Sequence, residues 1–190
     1  SMDWYAGFPA GYFYFPLPAL AIVALDTLLP YGVAFKLVTM AGLVALPWAA
    51  YYLLRSLGFA RVVAALAAAF SSTYVFMESF SIYGANIKST FAGEYSFSWS
   101  VALSLVYAGM LVRDIREDRG FTVGAGVMLG LTALTHIVTT MLIVLITLPL
   151  IVRRGGAKVL ARSWAIGFGL SAIWALPLGI RVLQGMTTDM

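Results

Sequence analysis

Between Tyr83 and Ser100 the chain reads YGANIKSTFAGEYSFSWS, which places an amide, an ammonium and a carboxylate (Asn86, Lys88 and Glu94) close together. Lys88 is a compact point charge with three donors, suited to a phosphate emerging from a lipid headgroup zone; otherwise it snorkels to bulk lipid phosphates or pairs with Glu94. Glu94 suits a metal ion or a sugar hydroxyl, or simply the positive end of the helix that it opens. Asn86 follows Gly84-Ala85, so a turn role stands beside ligand binding.

Elsewhere, chemistry-bearing residues are sparse. His136, the single histidine, lies in LTALTHIVTT with Thr132, Thr135 and Thr139 near enough to hold its ring. With Glu94 or Glu78 it would hold a divalent metal ion; the alternative is a hydrogen-bonded structural imidazole. Arg181, near the end of the last apolar run, would bind an anionic headgroup or snorkel. Asp3, beside Trp4, is the acid available for general-base work next to a ring that can stack on a sugar, or else a solvated carboxylate. Asp26 and Lys36 are spaced for a structural ion pair. The sequence contains no GxxxxGK[ST], GxSxG or HExxH.

Positioning these groups falls to apolar segments. The 190 residues are 62% hydrophobic and 11% charged, with a mean hydropathy of +0.93, against about 25% charged in soluble domains. This is the composition of an integral membrane protein. Cysteine is absent, which excludes disulfides and thiolate metal sites. The net charge is +4, but nine of the twelve basic residues fall in three short loops, 55–61, 113–119 and 153–162. That pattern reads as membrane topology, with the loops cytoplasmic, and not as a nucleic-acid surface. The start, SMDWYAGFPAGYFYFPLP, lacks a signal-peptide pattern, and the chain reads as a fragment of something longer.

Apolar runs fall at roughly 16–29, 33–54, 62–77, 97–112, 121–135, 137–152 and 163–183. With the basic loops inside, parity places 78–96 and the His136 turn outside and makes 121–152 two short helices. Segment 16–29, bracketed by Pro16, Pro18 and Pro30 and carrying Asp26, then lies in the outer interface, after the interfacial aromatics Tyr5, Tyr12, Phe13, Tyr14 and Phe15. The expectation is an all-α polytopic transmembrane bundle of about six spans plus an outer interfacial helix, a single transmembrane domain over 1–190. Residues 1–32 form the outer loop, 33–183 the transmembrane helices and 184–190 an outer tail. Gly126 and Gly130, and Gly167 with Ser171, mark close helix contacts.

The runs WYAGFPAGYFYFPLPAL, AFKLVTMAG, YYLLRSLGFAR, GANIKSTFAGEYSFSWS and LTALTH together resemble membrane proteins catalogued as 6-pyruvoyl-tetrahydropterin synthase-related, over about residues 4–145. These look like members of the GT-C superfamily of polyprenyl-phosphate-sugar-dependent glycosyltransferases. The resemblance implies a GT-C-like fold in the plasma or inner membrane, working on the extracytoplasmic face. It implies transfer of a sugar from a polyprenyl-phosphate donor to a cell-envelope glycan or lipid acceptor, with a carboxylate deprotonating the acceptor hydroxyl. Asn86, Lys88, Glu94 and His136 match its outer-loop and histidine-turn motifs, while its catalytic Asp is expected upstream of Ser1, which leaves Asp3 only as a stand-in. The alternative is a non-enzymatic module that binds lipid or polyprenol or scaffolds a larger complex. A secondary transporter fits less well, because the ionisable groups collect at helix ends.

Overall fold

Proline and glycine set most helix boundaries. The computed structural model describes residues 14–78, 84–118 and 123–184. Pro16 and Pro18 occupy the first turn of α1 (Pro16–Asp26), where a missing N–H leaves no bond unmade. Pro30 precedes α2 (Tyr31–Ser56), and a short turn leads to α3 (Arg61–Val75). One helical turn, Ile87–Ser89, runs into a wide turn at Thr90–Glu94 and then α4 (Tyr95–Arg116). Gly93 makes the break there, with φ at 117°, a conformation closed to residues with a Cβ. Next come α5 (Val123–Thr135) and α6 (Ile137–Thr147), extended by the 3-10 turn Leu148–Val152. The last helix is α7 (Gly156–Leu183). Among the described residues the secondary structure is entirely helical.

Among the described residues, three helical stretches are long and apolar enough to cross a membrane: Tyr31–Ser56 with 26 residues, Ile87–Arg116 with 30 and Gly156–Leu183 with 28. The others are apolar but shorter. The 15 residues of α3 rise about 22 Å, against a hydrocarbon core of about 30 Å. Helix α7 begins earlier than the apolar run implied. Lys158 and Arg162 belong to its first turns, so only Arg153 and Arg154 of that basic group precede it. Alanine and leucine at 157, 160 and 161 favour helix there, and long cationic side chains tolerate the position by reaching outward.

Contacts along the helices give their relative directions. Helices α2 and α4 run parallel: Trp99 Nε1 donates to the Val38 carbonyl at 2.7 Å, and farther along Arg116 Nη1 donates to the Ser56 carbonyl at 2.6 Å. Gly42 permits the approach, since a Cβ there would lie 2.5 Å from the Trp99 backbone nitrogen. Helices α5 and α6 form the hairpin expected from the basic-loop parity, with His136 at its tip. Ser100 Oγ donates to Thr139 Oγ1 at 2.8 Å, and Gly124 faces Met110. Gly126 and Gly130 meet α7 at Ser163, Ile166, Gly167 and Leu170, as the GxxxG spacing predicts.

The main core joins α4 to α7 through Tyr107, Leu111, Leu129 and Leu160, all essentially inaccessible. Lipid tails are as apolar as these side chains, so helix association rests on close packing and hydrogen bonds more than on a hydrophobic drive. That accounts for the small and hydroxyl residues between helices, among them Ser98, Ser100, Thr132, Thr139 and Ser163. Tyr107 supplies a central polar contact, accepting from Trp164 Nε1 at 3.1 Å. Large apolar residues point outward instead, with Trp48 73% and Ile173 81% exposed.

Candidate functional site

Among the described residues, the cationic groups and the polar turns gather at two opposite ends of the bundle. At one end, Arg55, Arg113, Arg116, Arg153 and Arg154 line neighbouring cavities, which brings the three basic loops together. At the other end lie residues 84–100, His136 and the start of α1.

The polar turn at this second end is built from within. Gly84 N donates to Ser89 Oγ at 2.6 Å, Ser89 N to Asn86 Oδ1 at 2.8 Å, and Thr90 shares a hydrogen bond of 2.8 Å with Ser98 across hydroxyls. All five residues are buried. Asn86 therefore acts as an N-cap that satisfies the first turn, in line with the turn role left open by the sequence. Lys88 points outward, 51% exposed, and pairs with Glu78 at 3.2 Å rather than with Glu94. Glu94 stands at the N-cap position of α4 without a side-chain capping bond, so its contribution there is charge against the helix dipole.

His136 lies between aromatic rings. Phe15 packs on it with centroids 4.6 Å apart, and Phe97 meets it edge-on at 5.1 Å. Phe15 also touches Trp174, at 5.5 Å, which joins the last helix to this cluster. The threonines do not hold the imidazole. Thr132 and Thr135 donate to the carbonyls of Met128 and Leu131, and Thr139 pairs with Ser100. Hydroxyls within a helix find carbonyls one turn back, and that local bond wins over reaching the ring. Among the described residues, His136 Nδ1 and Trp174 Nε1 are left buried without a hydrogen-bond partner. Burial pushes the His136 pKa below its ordinary 6.5. The ring is thus neutral, with one nitrogen able to donate and one to accept.

Other expectations divide. Asp26 and Lys36 are both exposed and do not pair with each other. Lys36 instead borders a cavity of about 470 Å³ with Phe35, Thr39, Met40, Thr90, Phe91, Gly93 and Tyr95. Among the described residues, Thr39 Oγ1 is buried there without a hydrogen-bond partner. Sequence reasoning missed this site because it assigned Lys36 to Asp26. Arg181 lines a small recess with Pro177, Ile180 and Gln184, about two turns beyond Trp174. Asp3, Asp189 and the aromatics Tyr5, Tyr12 and Phe13 lie outside the described residues. Among the described residues, no three His, Cys, Asp or Glu side chains cluster.

No protein-family model, curated protein or solved structure matches the chain. What fold and site define, among the described residues, is an all-helical arrangement with three helices long and apolar enough to span a membrane, compatible with membrane association and lipid contact.

Proposed function

We propose that this chain is the membrane core of a GT-C-like glycosyltransferase. It takes a sugar from a polyprenyl-phosphate donor at the His136 end and passes it to a cell-envelope glycan or lipid acceptor. The observation that supports this reading is the pair of buried, unpartnered ring nitrogens on His136 and Trp174, either side of Phe15 and beside the 84–100 turn. Aromatic faces suit the apolar face of a sugar ring, and the two nitrogens, covered in this conformation, would meet its hydroxyls when Phe15 turns aside. Lys88 and Arg181 supply positive charge for the lipid phosphate, and Glu94 is available to a sugar hydroxyl.

In this reading the helices make about six passes with both ends extracytoplasmic, the arginine end facing the cytoplasm. The acceptor hydroxyl gives its proton to a carboxylate and attacks the anomeric carbon. The bond from that carbon to the phosphate oxygen breaks, and polyprenyl phosphate leaves with the bonding pair. Asp3 is the proposed base.

The test uses the protein in nanodiscs with a radiolabelled polyprenyl-phosphate sugar. His136→Phe and Trp174→Phe each keep an aromatic ring at the position and remove its nitrogens. Donor affinity should fall about tenfold or more, as expected when a polar ligand group is left unpaired. Unchanged donor binding in both variants removes the assignment. A second reading, a non-enzymatic lipid-binding or scaffolding module, is favoured by Glu78 already neutralising Lys88. Donor binding without sugar transfer in the intact protein selects it.

A further inference from the structure

We infer that the arginine end carries a built binding site for an anionic phospholipid. Its headgroup phosphate sits among Arg116, Arg153 and Arg154, and an acyl chain lies over Leu57, Ile115 and Leu150. These six residues, with Val112, line one cavity of about 550 Å³. Its lining joins the α2–α3 turn, the end of α4 and the turn before α7, so one ligand touches three of the bundle's connections. A second cavity of about 530 Å³, lined by Arg55, Arg113 and two tyrosines, shares Arg116 with the first.

Charge and shape together choose the occupant. Five arginines line the two cavities against a single carboxylate, Glu117, which Arg113 already holds at 3.0 Å. The other nearby acids are Asp114, buried in the bundle, and Asp118, exposed at the helix end. Arg116 is fixed by its bond to the Ser56 carbonyl, and its planar fork retains further donors for phosphate oxygens. Arg153 and Arg154 are exposed beside it. A soluble anion would match the guanidinium groups but would leave the apolar wall of Leu57, Val112, Ile115 and Leu150 uncovered. A lipid covers both, as basic pockets between membrane helices characteristically do. The site is at the opposite end from His136, and it does not depend on the sugar-transfer reading or on which leaflet the arginine end faces.

Native mass spectrometry of the purified protein, with thermal unfolding in detergent, tests the site with four additions: phosphatidylglycerol, cardiolipin, phosphatidylcholine and inorganic phosphate. The two anionic lipids should be retained and should raise the unfolding temperature, whereas phosphatidylcholine should do neither. Arg153→Gln/Arg154→Gln should weaken retention about 30-fold, from about 1 kcal/mol for each basic residue near a lipid phosphate. The control Arg61→Gln/Lys158→Gln removes the same charge from residues outside both cavities and should change retention less than about threefold. Equal loss in the control would show diffuse attraction and overturn the site. Stabilisation by inorganic phosphate alone to the same extent would make it a soluble-anion site and overturn the lipid assignment. Equal retention of phosphatidylcholine would overturn it too.

Discussion

His136 holds a nitrogen that the fold leaves unsatisfied, and an orphan of that kind costs about 1–3 kcal/mol. His136→Phe should therefore leave the unfolding temperature unchanged or raise it, even where it abolishes ligand binding; marked destabilisation would show that the imidazole is structural. The same burial predicts a pH effect. Because the folded pKa lies below 6.5, the unfolded chain binds the extra proton first. Stability should be full above about pH 6.5 and decline as pH falls from there toward the folded pKa, and the His136→Phe protein should lack this decline. The polar turn behaves differently. Asn86→Ala removes a buried cap and should cost about 1 kcal/mol in denaturant unfolding. Glu78→Gln, which breaks an exposed pair, should cost less than about 0.5 kcal/mol.

Among the elements, the tightest seam is between α2 and α4. Any side chain at Gly42 meets the backbone of Ser98 and Trp99, which cannot turn aside, so Gly42→Ala should destabilise by about 1–3 kcal/mol. Gly32, on the same helix with open space around it, provides the control: Gly32→Ala should be neutral or slightly stabilising. Equal effects at both positions would reject the close-contact account. The α5–α7 contact through Gly126 and Gly130 was legible in the sequence, because its four-residue spacing is a recognised pattern. Gly42, against Ser98 and Trp99, and Gly109, against Tyr52 and Ser56, were not, since neither has a second glycine four residues away and each meets a partner some sixty residues away. The same holds for the site. Arginine placement put His136 and the 84–100 turn at one end, and the Phe97 contact bears that out. The clustering of Phe15 and Trp174 around the imidazole depends on tertiary packing of residues far apart in the chain, which no local pattern reports.

For the whole molecule, orientation is the decisive quantity. The chain has no cysteine, so single introduced thiols can be labelled without background. Lys88→Cys should react with a membrane-impermeant maleimide in intact cells, and Lys158→Cys only after permeabilisation. Both side chains are exposed in the fold and stand at opposite ends. Labelling of both from one side would end the proposed topology, and with it the extracytoplasmic reaction.

The shortness of α3 also bears on the lipid around the protein. If that helix crosses beside its longer neighbours, hydrocarbon tails next to it must compress by about 8 Å, each ångström costing a fraction of a kcal/mol. The molecule should thus be most stable in bilayers of short-tailed lipids, with fourteen-carbon chains favoured over twenty-two-carbon ones, and should settle in the thinner regions of a mixed membrane.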